Sequence, residues 1–148
     1  MGVVAGAVLE AGGHVIGVIP EALLEREVAH NGLPELRVVA SMHERKALMA
    51  DLSDGFIVLP GGLGTLEEFF EVASWAQLGL HRKPCGVVNV AGFFDPLRAM
   101  LAQCVAERFL RTEHEAMIIV APDVDSLLAQ FDEYQPPEVP RLIDRSQT

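Results

Sequence analysis

An α/β fold built on a parallel sheet is predicted by three observations. Short, largely apolar runs recur along the chain: H-V-I-G-V-I (14–19), L-R-V-V (36–39), F-I-V-L (56–59), C-G-V-V-N-V (85–90) and A-M-I-I-V (116–120). Stretches of helical spacing alternate with them, and strands that are apolar throughout belong to parallel sheets covered on both faces. One run feeds directly into a glycine turn, P-G-G-L-G-T-L-E-E at 60–68, at the carboxyl end of a strand, where ligands sit in such sheets.

The elements follow in order. Residues 2–11 are small and apolar at helical spacing, and Gly12-Gly13 stops that helix. The run 14–19 is a buried strand closed by Pro20; residues 21–35 are polar and irregular; 36–39 is a short strand. Ser41 caps a helix running to about Leu52. After the strand at 56–59, Thr65 opens a helix that reaches about Gly79. Lys83-Pro84 leads into the strand 85–90, and Asp95 is an N-cap with Pro96 at the first helical position of a helix ending near Phe109. The strand 116–120 and a short helix over 123–133 complete the pattern, and the tail after Tyr134 is proline-rich. Five strands with no internal repeat and no linker predict one Rossmann-like three-layer sandwich over residues 1–134, with a loose tail over 135–148.

Composition bounds the function. The chain has 148 residues, half of them hydrophobic, which is one domain with a sizeable core. Its net charge is −10, with 11 scattered Lys and Arg, so a nucleic-acid polymer is not expected as a partner, since binding one takes clustered basic residues. A small anion remains open, because backbone amides and one or two basic side chains suffice. Cys85 and Cys104 form no CxxC or Cys/His cluster, which argues against a disulfide framework or zinc site and for small buried hydrophobes. No apolar run approaches a membrane span and no secretion signal is visible, so the expected location is cytoplasmic, away from membranes.

Two constellations carry chemistry. In the glycine turn, Gly61, Gly62 and Gly64 allow positive φ and close approach to the backbone, and the N–H groups that open the next helix favour an anion. The bland alternative is an ordinary strand-to-helix turn. Glu68 reads in two ways: Thr65 and Glu68 fit the capping box S/T-x-x-E, in which the glutamate only bonds the cap's own N–H, or the carboxylate is free for proton chemistry. Glu67 and Glu71 are first-turn acids suited to the helix dipole, while Leu66, Phe69, Phe70 and Ala73 make the core stripe. In S-M-H-E-R-K-A-L-M (41–49), Met42, Arg45 and Met49 share one helical face and Lys46 is adjacent. An arginine between two methionines wants an anionic partner; the alternative is a surface helix with a Glu44–Lys46 polar edge. The P-loop, G-x-G-x-x-G and G-x-S-x-G motifs are absent.

These residues resemble the LOG ("Lonely guy") family of cytokinin-activating phosphoribohydrolases. The match comprises P-G-G-L-G-T-L-E-E (60–68), M-H-E-R-K-A (42–47), W-A-Q-L-G-L-H-R-K-P (75–84) and N-V-A-G-F-F-D-P-L (89–97), and it extends to about residue 133. Members have carried the label "lysine decarboxylase", for which Lys46 and Lys83 give no support. The resemblance implies cleavage of the N-glycosidic bond of a nucleoside 5′-monophosphate, such as N6-modified AMP, to free base and ribose 5-phosphate. It places catalytic roles on Arg45 and Glu68, and substrate contacts on Glu27, Met42, Arg45, Lys46, Gly61, Gly62, Leu63, Gly64, Thr65, Leu66 and Glu67. It implies a homodimer and needs no metal or cofactor. The family pattern also begins with a strand and glycine loop that have no counterpart before Met1, so the chain is expected to lack the first βα unit. A non-catalytic nucleotide-binding module or an inactive truncated homologue is the alternative expectation, and a purely structural subunit is a third.

Overall fold

The fold is described from a computed structural model over residues 2–24 and 33–138. The chain divides into two compact units, residues 1–53 and 54–148.

In the first unit, helix α1 (Gly2–Glu10) ends where Gly12 turns left-handed at φ +78°. There the Gly13 N–H donates to the Val8 carbonyl at 2.8 Å and the Gly12 N–H to the Leu9 carbonyl at 3.0 Å, so glycine provides the stop the sequence indicated. Strand β1 (Ile16–Pro20) pairs in parallel with β2 (Glu35–Val39), Ile16 opposite Glu35 and Pro20 opposite Val39. Between them lies the short helix α2 (Glu21–Leu24), inside a stretch the sequence marks as irregular. Helix α3 (Met42–Leu52) returns over both strands. Its start is the one predicted: Ser41 Oγ accepts from the Glu44 N–H at 3.1 Å, and the Glu44 carboxylate accepts from the Ala40 N–H at 2.7 Å.

The second unit is a three-stranded parallel sheet in the order β3 (Phe56–Val58), β4 (Cys85–Val88), β5 (Ile118–Ala121). Val58 lies opposite Val87, and Val87 opposite Val120. Side chains alternate across β4. Cys85 and Val87 join Val58, Phe69 and Phe94 on one face, under α4 (Leu63–Gln77) and α5 (Asp95–Ala106). Val88 joins Ala121 and Leu127 on the other, under α7 (Val124–Asp132). Gly86 lies under α7 as well: a Cβ there would stand 2.5 Å from Leu127 Cδ1 and 2.9 Å from Phe131 Cε1. This sheet has helices on both faces, as its continuously apolar strands require.

The α/β class with parallel strands stands as the sequence indicated, but its five strands pair as two sheets, β1-β2 and β3-β4-β5, rather than as one. Several boundaries move as well. Helix α4 starts at Leu63, not Thr65, with Gly62 as its N-cap. Asp95 is the first residue of α5 rather than its cap, because its carboxylate is taken by the Asn89 side-chain amide at 2.8 Å. That helix stops at Ala106, and Arg108 turns left-handed at φ 64°. A single-turn helix α6 (Thr112–Glu115) and a 3₁₀ turn at Val90–Gly92 are additions. Both cysteines are free thiols, Cys85 buried and Cys104 half-buried; burial pushes the Cys85 thiol up to about 12. Among the described residues no helix is long and apolar enough to cross a membrane.

Candidate functional site

The glycine turn leaves the carboxyl end of β3 and runs at once into α4. The first backbone bond of that helix is from the Leu66 N–H to the Gly62 carbonyl, at 3.1 Å. The N–H groups of Leu63, Gly64 and Thr65 precede it and have no partner within the helix. No side chain caps them, because Gly62 stands at the cap. Three donors and the positive end of a 15-residue helix therefore face the sheet's carboxyl edge.

The three glycines act through space, not through handedness. None has positive φ; among the described residues Gly12, Gly79 and Gly92 do. A Cβ on Gly61 would lie 2.2 Å from Thr65 Oγ1, so this glycine lets the threonine fold back onto the turn. Cβ atoms on Gly62 and Gly64 would meet nothing within 4 Å, so the space beside these two backbone positions is open. Leu63 is 87% exposed beside it. Leu66 is turned the other way, against the core that holds Phe69.

The new start of α4 removes one of the two readings of Glu68. A capping box needs the glutamate at the third helical position; with the cap at Gly62 that position is Thr65, and Glu68 is the sixth. Glu68 therefore does not cap this helix. Its side chain is half-buried, and among the described residues its carboxylate takes no hydrogen bond or ion pair. Phe69, the next residue, is 1% exposed and fixes the helix on the sheet. The neighbouring residues Glu67 and Glu71 each have an interaction partner.

Arg45 belongs to α3 in the first unit. Its Nη1 lies 3.9 Å from the Met42 sulfur, one helical turn back, as the shared face predicts. Its Nε is buried without a hydrogen-bond partner among the described residues. A buried guanidinium N–H left unmatched is costly unless an acceptor arrives, which is the need for an anion inferred from the two flanking methionines. Lys46, next in the chain, is half-buried and engaged. Glu27 lies outside the described residues.

Sequence reasoning missed one feature at the same sheet edge. Asn89 follows β4, the strand beside β3. Its Oδ1 accepts the Phe94 N–H at 2.7 Å while its amide donates to Asp95, locking the turn through left-handed Ala91 (φ 50°) and Gly92 (φ 75°). The signal was present in N-V-A-G-F-F-D, but an asparagine clamp across five residues has no periodicity to show it. Among the described residues, no three His, Cys, Asp or Glu side chains gather as a metal site requires.

Known proteins resemble this chain along most of its length. Residues 1–131 match the family described as "Possible lysine decarboxylase". The rice protein "Probable cytokinin riboside 5'-monophosphate phosphoribohydrolase LOGL9" is 52% identical over 136 residues, covering 92% of this chain and 60% of its own length. The rice "Cytokinin riboside 5'-monophosphate phosphoribohydrolase LOG" is 50% identical, with 56% of its length covered. The Arabidopsis "Cytokinin riboside 5'-monophosphate phosphoribohydrolase LOG4" is 49% identical, with 63% covered. The chain thus spans about three-fifths of the length of these relatives. It belongs to the family described as "Possible lysine decarboxylase", and within that family it is similar to the cytokinin riboside 5'-monophosphate phosphoribohydrolases.

Proposed function

We propose that this protein hydrolyses the N-glycosidic bond of a nucleoside 5′-monophosphate, N6-modified AMP or AMP itself, releasing free base and ribose 5-phosphate. The observation that carries this reading is the Glu68 carboxylate. It is freed from capping by the helix start at Gly62 and held on the same helix whose open N–H groups face the sheet's carboxyl edge.

The roles follow from the chemistry. The 5′-phosphate lies on the N–H groups of Leu63, Gly64 and Thr65, with Gly61 and Gly62 giving the backbone room. Anchoring the phosphate positions the ribose. As the C1′–N bond breaks, positive charge builds on the ring, and an anionic carboxylate stabilises it. Glu68 supplies that charge and takes a proton from the attacking water; the hydroxyl joins C1′ and a proton goes to the departing base. Arg45 offers its unmatched Nε to phosphate or ribose oxygens. Met42, Lys46, Glu67 and Glu27 complete the substrate contacts, while Leu66 packs against the core and anchors the start of the helix. The working protein is a cytoplasmic homodimer of one Rossmann-like domain, residues 1–134. The pairing is supported by exposed Met100 on α5 and by Phe109 just beyond it, 53% and 87% accessible.

The test is incubation with N6-modified AMP and with AMP, following free base chromatographically. Wild type releases base, and Glu68→Gln, with unchanged circular dichroism, loses about 10²-fold or more of the rate. Full turnover by Glu68→Gln would remove Glu68 from the chemistry. AMP binding without base release would instead make this a non-catalytic nucleotide-binding module.

A further inference from the structure

A cavity of about 220 Å³ opens at the far end of α4, away from the glycine turn. Ala76, in the last turn of α4, forms part of its wall. Thirteen residues separate Leu63 from Ala76, or roughly 20 Å along the helix axis, so the cavity is a separate place from the nucleotide site. His81, Met117 and the segment Pro136–Glu138 form other walls.

The floor is apolar and fixed. Met117 is 7% exposed and Ala76 4%. Pro136 and Pro137 have ring-locked φ angles, so their wall loses little entropy when a ligand arrives. His81 brings no charge. Its Nε2 lies 2.9 Å from the Val72 carbonyl, which can only accept, and its Nδ1 lies 3.2 Å from the Lys83 N–H, which can only donate. The ring is therefore held neutral, with its proton on Nε2.

The rim carries one charge of each sign. Arg82 and Glu138 both line the opening and are both exposed. They form no ion pair with one another, and Arg82 has no carboxylate partner among the described residues, although acidic residues number 21 against 11 basic ones. Its electrostatic neighbour is the Tyr134 hydroxyl, whose pKa is raised chiefly by burial and lowered somewhat by Arg82. A simple anion entering here meets Glu138 as well as Arg82, and a simple cation meets Arg82 as well as Glu138; a molecule with both charges has an opposite one available for each. The volume is below the range of drug-sized pockets and near that of about seven waters.

We propose that this cavity binds a small zwitterion of the α-amino-acid type, its carboxylate on Arg82, its ammonium on Glu138 and its apolar side chain against Met117 and Pro136. The test is a heteronuclear NMR titration of the full chain with L-leucine, N-acetyl-leucine and leucinamide. L-leucine shifts the Ala76, Met117 and Glu138 amides with a Kd of about 1 mM, as suits so small a ligand. The two blocked analogues each bind about tenfold more weakly, and so do Arg82→Ala and Glu138→Gln for L-leucine, with the melting temperature unchanged. Absence of shifts at about 10 mM L-leucine, or equal binding of N-acetyl-leucine, overturns the proposal. Neither result bears on base release at the glycine turn.

Discussion

Gly61 and Gly64 are alike in sequence and opposite in consequence. At Gly61 the missing side chain is filled by Thr65, whose Oγ1 would lie 2.2 Å from an added Cβ and whose own Cβ would lie 2.9 Å away. Gly61→Ala must displace that threonine, and overpacking of this kind costs about 1–3 kcal/mol; a lower urea midpoint at unchanged slope is the expected result. At Gly64 the added methyl meets nothing, and alanine is the better helix former by about 0.5 kcal/mol or more. Gly64→Ala is therefore expected to raise the melting temperature while reducing base release, because the methyl occupies the space before the free N–H groups. A Gly64→Ala protein with undiminished turnover would show that no phosphate lies there. Of the two reasons the sequence offers for the three glycines, positive φ is not used, and close approach is used at Gly61, by Thr65.

At the scale of the element, the capping-box spacing S/T-x-x-E occurs three times, in S-M-H-E (41–44), T-L-E-E (65–68) and T-E-H-E (112–115), and is used once, at Ser41. The difference lies in what precedes it. Ser41 is itself extended, at φ −144° and ψ 163°, and has no competitor for the cap, whereas the chain before Thr65 is already helical from Leu63. Gly64 is a weak helix former, so pattern alone puts the start two residues late. That small displacement decides whether Glu68 is a cap or a free carboxylate. The strands were legible because a covered parallel sheet selects apolar residues at every position; α6 was not, because a single turn of T-E-H-E has no period. Caps also carry pH dependence. The Asp123 carboxyl of α7 is held below its ordinary value, first by the Ser126 backbone N–H, which it accepts at 2.8 Å. A depressed carboxyl contributes stability that is present above the unfolded value, near pH 4, and is lost as pH falls through the folded value. Asp123→Asn keeps an acceptor without a charge to lose. The melting temperature of wild type is expected to fall more steeply than that of Asp123→Asn between pH 7 and pH 3. Parallel curves would assign the acid sensitivity to other groups, such as Glu35, lowered by Arg37 and His14.

For the whole molecule, composition and pattern announced the fold class but not how the strands divide. Which strands pair is a non-local matter, set by side chains far apart in sequence: Gly86 of β4 accepts Leu127 and Phe131 of α7, and Phe94, just before α5, shares a cluster with Phe69 of α4. Nothing local in C-G-V-V or F-I-V names those partners, so five strands read as one sheet resolve into a pair and a triplet. Net charge, by contrast, is read directly. At −10 the chain repels itself in the folded state more than in the expanded one. Raising salt from about 10 mM to about 150 mM shortens the screening length from about 30 Å to about 8 Å. That weakens long-range repulsion, but it also weakens the exposed pairs His14–Glu35, Arg37–Glu35 and Arg98–Asp95. Exposed pairs contribute little each, and an excess of ten negative charges belongs to the chain as a whole, so the repulsion term is the larger. The melting temperature is therefore expected to rise with sodium chloride over this range, measured by scanning calorimetry at pH 7. A fall instead would mean that those few ion pairs outweigh the surplus carboxylates.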